Sequence, residues 1–356
     1  MIDSRPDSSQ EGARAPGSAW SGLVGALLGL AISALFIWLT FKDIDTTDLW
    51  RNLPNLPIAP MLLCLAAQGL IQVLRLVRWG VLIRHMGHVT WKRVLAMGAV
   101  GLAILYILPA RLGELARPLL ASDETDIDFG RASSTVVTER FSDATLMGIV
   151  ILATLYALAR QAIAYGLITT SYVFLALIPS AIAFFLLSIW QRQKIASLIR
   201  RVVGIVSSSM ASRLARLFEG FVEGIQQATD RQVVGPYMGL TVGIWVAEAL
   251  SLYWLFGILE VELPFLAAVT VLCALVVAAT LPAGPGQIGL FEYAIVFGLG
   301  PFSIDAATSA FYGTLFHVIV TIPLFVTGIL GIWFGEISLS HVFARSRRRV
   351  IASTDS

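Results

Sequence analysis

Charge is scarce in this sequence. Lys, Arg, Asp and Glu make up 13% of its 356 residues, against about 25% in a soluble globular domain. Cysteine is nearly absent. Cys64 and Cys273, the two present, lie in apolar runs without a CxxC spacing and read as small buried hydrophobes, not as a disulfide or metal ligands. There is no HExxH, no Walker loop and no Ser/His/Asp or Cys/His set, so the sequence calls for no metal or cofactor and no direct use of ATP. A net charge of +2 is too small for a nucleic-acid binder. The strict alternation of a β-barrel strand is missing too. What is present is 57% hydrophobic residues, nine Trp, nineteen Phe and a mean hydropathy of +0.79. Continuous apolar runs, each needing about 20 residues to span a bilayer, predict an all-α polytopic membrane protein.

The apolar segments fall at 20–41, 58–83, 93–109, 131–158, 168–190, 236–258, 264–282, 288–300 and 307–334. The first, Trp20 to Phe41, is too long for a signal-peptide core and ends at Lys42-Asp43 without a small-residue cleavage site, so it is expected to remain as a helix. The composition of 1–19 predicts a disordered tail. Residues 192–235 carry seven arginines and lysines among apolar residues at helical spacing, which predicts an amphipathic connector lying on a membrane surface. Basic connections face the cytoplasm. They occur at 84–93, at 192–231 and in the tail Arg345, Arg347, Arg348 and Arg349. The acidic 42–57 loop is expected outside, with both termini inside.

Parity then constrains the topology. Both the 84–93 and 192–231 connections are cytoplasmic, and 131–158 with 168–190 makes one trip out and back. The segment 93–120 must therefore begin and end inside, and 264–300 must begin and end outside. Each is expected to be a re-entrant hairpin, entering from opposite faces. The first turns at Leu108-Pro109-Ala110 and the second at Leu281-Pro282-Ala283. Proline breaks a helix, and broken backbone at membrane depth is tolerated only inside protein or beside a water-filled cavity. Two interrupted segments in matching positions point to an inverted repeat with a site at its interface. The expected domain thus runs over 20–335, with about six to seven full spans plus two re-entrant hairpins, followed by a basic cytoplasmic tail at 336–356.

An ionisable side chain at the bilayer centre costs roughly 2.5–3.5 kcal/mol, so those present are expected to be paired or functional. Gln68, Gln72 and Arg75 share one helix face, with Arg78 flanking it. The first hairpin carries Arg111, Glu114 and Arg117, and the segment after it Glu139, Arg140 and Asp143. Glu248 and Glu292 lie in later apolar segments, and His317 reads as a satisfied interior histidine. Five arginines (75, 78, 111, 117, 140) face five carboxylates (114, 139, 143, 248, 292), which fits a closed ion-pair network. Guanidiniums also hold phosphate in a bidentate fork. Gly284, Gly286 and Gly289 precede a helix and could offer free N–H groups to an anion. Gly298, further along, reads as part of a regular half-helix that should tolerate a side chain better than Gly286.

Taken in order, Arg75-x-x-Arg78-Trp79, Leu108-Pro109-x-Arg111-x-Gly113-Glu114-x-x-Arg117, Glu139-Arg140-x-x-Asp143 and Pro282-x-x-Pro285-Gly286-x-x-Gly289-x-x-Glu292 resemble the lysylphosphatidylglycerol synthase transmembrane region, a flippase-like integral membrane family. The resemblance covers about 20–335. It implies a lipid-translocase fold with two re-entrant hairpins in the inner (cytoplasmic) membrane. Synthases of that family add a soluble aminoacyl-transfer domain; this sequence ends at Ser356, so lipid aminoacylation is not carried over. The leading expectation is a transporter moving a lipid with a phosphate-containing or otherwise polar head group between leaflets, without catalysis. Its partners would be the lipid itself and lipid-synthesis enzymes. An intramembrane lipid or glycosyl transferase is the alternative, on the DxD-like Asp43-Ile44-Asp45 and Asp126-Ile127-Asp128. A scaffold for lipid-synthesis enzymes is a further one.

Overall fold

A computed structural model describes residues 30–42, 57–107, 113–160, 197, 200–202, 207–258, 262–281 and 283–335. The expected 168–190 span, both tails, Asp43 and Asp45, most of residues 192–206, and the turn residues Leu108, Pro109, Ala110, Arg111 and Pro282 lie outside the described residues.

Among the described residues the regular structure is entirely helical. A short apolar helix, α1 (Leu30–Phe41), precedes α2 (Ile58–Met86), α3 (Trp91–Ile107), α4 (Ala116–Glu124) and α5 (Phe129–Arg160). The second half contains α6 (Ser208–Ala228), α7 (Arg231–Leu255), α8 (Phe265–Ala278), α9 (Leu290–Leu299) and α10 (Ala306–Gly335). Four of these, α2, α5, α7 and α10, are long and apolar enough to cross a membrane. Their outer faces are greasy: Leu62, Leu70 and Val73 on α2, and Ile322, Val326, Ile329 and Trp333 on α10, are all exposed. A soluble protein does not leave apolar surface of that extent uncovered, whereas a lipid-facing bundle does.

Local chemistry sets the helix ends. Asp230 caps α7 by accepting from the Gln232 N–H, and Ser207 caps α6 by accepting from the Met210 N–H. The last turn of α2 carries Arg84 and His85, cations that suit the negative end of the helix dipole. Asp128 accepts from the Arg131 N–H at the start of α5. One carboxylate of the Asp126-Ile127-Asp128 motif is thereby a helix cap.

The order long, short, short, long occurs twice: α2, α3, α4, α5 and then α7, α8, α9, α10. Contacts repeat in the same sense. The first long helices of each half, α2 and α7, pack on each other; α3 packs on α10, and α8 on α5. Within each half the two short helices also touch, as α3 with α4 and α8 with α9. At 1.5 Å per residue, the 14-residue α8 and 10-residue α9 reach about 21 and 15 Å, well short of a 30 Å hydrocarbon core.

The described part of the basic connector, α6, is amphipathic, and it docks on α5. Small residues let it approach: a side chain at Gly224 would collide with Ser134 Oγ at 2.1 Å, and one at Gly130 with the Leu217 carbonyl at 2.5 Å. Buried Ala211, Ala215, Val222 and Ile225 form the inner stripe of α6. Its arginines, Arg213 and Arg216, remain exposed.

The glycines of the second short pair divide by what surrounds them. Gly286 and Gly289 have φ of +67° and +85°, a region that favours glycine. A side chain at Gly289 would also meet the Ser33 carbonyl at 2.6 Å. Gly298 is not the tolerant position its regular helical setting suggested. A side chain there would stand 2.8 Å from the Val271 Cα, because α8 and α9 pack backbone to backbone. Sequence shows the helix around Gly298, but not the neighbour pressed against it.

Candidate functional site

Among the described residues, two arginine–carboxylate systems lie inside the apolar bundle, and their exposure separates them. The first is built on α2, α4, α5 and α7. Arg78 reaches from α2 to the Asp143 carboxylate in a fork, Nη1 to Oδ1 at 2.6 Å and Nη2 to Oδ2 at 3.1 Å. Thr241 Oγ1 takes a further bond at 3.3 Å, and the Trp245 indole N–H donates to the same Asp143 at 3.0 Å. Arg117 of α4 holds Glu139 Oε2 at 2.5 Å, while Arg78 stands 3.7 Å from Glu139 Oε1. Tyr237 and Trp79 lie against the two guanidiniums, with ring centroids 5.7 Å and 5.8 Å away. Two cations and two carboxylates form a neutral group. Arg78, Arg117 and Glu139 are buried. The geometry describes a closed lock tying four helices together.

The helical period places these groups. Thr135, Glu139 and Ser142 share one inner face of α5 at helical spacing, and all three are buried, while Asp143 beside them is only partly so. Gly101 lets α4 approach α3, since a side chain there would overlap Arg117 Cγ at 2.3 Å.

The second system opens into a cavity of about 260 Å³. Arg75 and Glu248 meet on its wall at 2.6 Å, and Gln68, fully buried, donates to Glu248 Oε2 and Ser251 Oγ, each at 3.0 Å. Arg140 donates to Glu114 at 3.0 Å on the same cavity. The side chain of Arg75 is 32% exposed and that of Arg140 51%, against 7% for Arg78. Gly284, Gly286 and Gln287 line another part of the wall, and Leu272, Leu275, Val276 and Phe316 supply apolar surface. Gln72 is buried on α2, and neither atom of its amide has a hydrogen-bond partner among the described residues.

The glycine turn does not present a free row of N–H donors. The Gly284 N–H donates to Ser33 Oγ at 3.0 Å, and the Gln287 N–H to the Gly284 carbonyl at 3.1 Å. The Gly289 N–H donates to Glu292 Oε2 at 2.7 Å. The anion at the start of α9 is thus Glu292 itself. Its other oxygen meets His317 Nδ1 at 2.7 Å, so Glu292 is partnered by a histidine and not by an arginine.

Of the residues singled out in the sequence, Arg75, Glu114, Arg140, Glu248, Gly284 and Gly286 line the cavity. Arg78, Arg117, Glu139 and Asp143 belong to the lock. Gly289 and Glu292 form the start of α9. Arg111 lies outside the described residues. Sequence reasoning did not find Tyr106, Thr241 or Trp245. Thr241 and Trp245 lie one turn apart on the face of α7 that includes Glu248, a periodicity that could have found them.

The family model for the lysylphosphatidylglycerol synthase transmembrane region matches residues 26–328. The chain belongs to this family. It is a multi-pass membrane protein related to lipid modification or transport. No curated protein matches the chain with significant similarity.

Proposed function

We propose that this member of the lysylphosphatidylglycerol synthase transmembrane family binds a lipid with an anionic, phosphate-containing head group in the cavity and passes it between leaflets. The observation that carries this reading is the difference between the two arginine systems. The guanidiniums of Arg78 and Arg117 are enclosed by carboxylates, whereas Arg75 and Arg140 keep donors toward a cavity within an apolar bundle. A partly desolvated guanidinium binds phosphate far better than one in water. Glu248 and Glu114 then offset the positive charge when no ligand is bound. Nothing in this arrangement needs a reacting group, so transport is favoured over transfer chemistry.

In this reading the two short-helix pairs, 93–120 and 264–300, are re-entrant hairpins entering from opposite faces, with Tyr106 and Glu114 of the first and Gly284 and Gly286 of the second on the cavity wall. Its support is the repeated long, short, short, long order and the shortness of α8 and α9. Labelling of single cysteines at Ser122 and Glu262 tests it: they should react from opposite sides of the membrane, and labelling from one side would overturn the arrangement.

The lipid assignment is tested by native mass spectrometry of the protein extracted with its lipids. A retained phospholipid or polyprenyl phosphate, lost on Arg75→Ala with the protein still folded, is expected. Retention of only neutral lipids would overturn the phosphate reading.

A further inference from the structure

Tyr106, His317 and Glu292 form a continuous polar chain through otherwise apolar surroundings. Tyr106, at the end of α3, brings Oη to 2.6 Å from His317 Nε2 and 3.2 Å from Thr321 Oγ1. His317, on α10, meets Glu292 Oε1 at 2.7 Å through Nδ1. Glu292, in the first turn of α9, is anchored by the Gly289 N–H. The Phe291 ring stacks on the imidazole with centroids 4.4 Å apart. Both Tyr106 and Phe291 line the cavity. The ring of Tyr106 also lies against the Gly286 turn, so the end of α3 and the tip of the second short pair meet here.

This chain accommodates a proton without moving a heavy atom. With neutral His317, Nδ1–H donates to Glu292, Nε2 accepts from the Tyr106 hydroxyl, and Tyr106 accepts from Thr321. When His317 takes up a proton at Nε2, that N–H donates to Tyr106 Oη, and the tyrosine hydrogen turns to Thr321 Oγ1. Every polar atom named stays satisfied in both forms. One N–H bond forms, no other bond changes, and the imidazolium becomes an ion pair with Glu292.

We propose that His317 is a proton-binding site that couples lipid movement to a proton gradient. The proposal rests on the transport reading above. The contacts join α3, α9 and α10, so they exist together only while the tip of the second short pair meets α3. A ligand shifts a conformational equilibrium by its differential affinity for the two states. The proton gains the Glu292 ion pair where α9 meets α10, so protonation favours the state in which α3, α9 and α10 meet at His317, and release loosens it. Pro323 on α10 lacks the N–H that would bond the residue 319 carbonyl, giving this stretch of helix a natural bending point. The titratable groups facing the site are Glu292 from α9 and Tyr106 from α3. Tyr312, on α10 itself, is turned to the Leu252 carbonyl. The Arg75–Glu248 and Glu114–Arg140 pairs line the cavity on which Tyr106 and Phe291 also lie.

The test uses the full chain in phosphatidylcholine and phosphatidylglycerol vesicles with a trace of fluorescent NBD-phosphatidylglycerol. A gradient of roughly two pH units, spanning the usual histidine range, is imposed across the membrane. The native protein should move the probe several-fold faster with the gradient than without it. That acceleration should vanish in His317→Gln, which keeps a donor and an acceptor, and in Tyr106→Phe. An undiminished acceleration in variants with native melting temperatures would overturn the proposal. A second readout is independent of lipid movement. In a chain whose other histidines, His85, His88 and His341, are replaced by Gln, nitrogen NMR of His317 in nanodiscs should show both the neutral and the protonated ring as the medium is stepped over a wide range of pH. A resonance fixed in one form over that range overturns the proton site. If the probe does not move but His317 titrates, the transport reading fails with this lipid while the proton site stands.

Discussion

Glu139→Ala should be the most damaging single substitution in the bundle. Removing the carboxylate leaves Arg117 without its 2.5 Å partner and Arg78 without half of its counter-charge. Breaking a buried ion pair in this way costs about 3–5 kcal/mol, because one charge stays desolvated and uncompensated. The expected result is a large fall in the thermal midpoint of the detergent-solubilised protein, followed by intrinsic fluorescence of the nearby Trp79 and Trp245. The double variant Arg117→Met with Glu139→Leu separates charge from packing. It removes one cation and one anion together and leaves the forked Arg78–Asp143 pair intact. Most of the lost stability should return. If the double variant is as unstable as Glu139→Ala, the cluster acts through side-chain shape and hydrogen bonding instead of charge balance.

The sequence showed that this network exists because charge is costly in an apolar helix, and its residues recur at helical spacing. Glu139 and Ser142 could be assigned to an inner face from period alone. Pairing could not. The i, i+3 spacing of Arg111, Glu114 and Arg117 suggests local pairs within one helix, yet Arg117 turns to Glu139 and Glu114 receives Arg140. Both partners come from α5, and sequence spacing carries no information about which helix packs alongside. The count of five cations against five carboxylates suffered in the same way, since Glu292 is satisfied by His317 and the Gly289 N–H. Tyr106 was hidden for another reason: one tyrosine in an apolar arm is unremarkable until the turn near Gly286 is brought against it. By contrast, the four long helices α2, α5, α7 and α10 were readable directly, because helix length follows from the length of the apolar run, whereas α4, which is not an apolar run, was not. The place of the second turn was readable too, from prolines and glycines whose backbone preferences are local.

Lysine in place of Arg75 should leave the fold nearly unchanged and weaken lipid binding. Arg75 lies on the cavity wall and engages Glu248 through Nη2 alone. An ammonium can supply that one contact, and Gln68 continues to hold the other Glu248 oxygen. The expected loss of stability is therefore no more than about 1 kcal/mol. Phosphate recognition is different, because a fork needs two coplanar N–H donors and lysine offers a point charge. Phosphatidylglycerol titrated into nanodiscs of the protein should bind about tenfold more weakly to Arg75→Lys, a loss of one good hydrogen bond to a charged group. Arg78→Lys provides the opposite pattern. Its guanidinium spans both Asp143 oxygens and Thr241 inside the lock, so lysine there should lower the thermal midpoint, with weaker binding only as a consequence. Equal binding by native protein and Arg75→Lys would make Arg75 a counter-ion for Glu248. Arg140→Lys is then the next comparison for the cavity: among the described residues Arg140 is the other guanidinium on its wall, and weakened binding in that variant would move the phosphate contact to it.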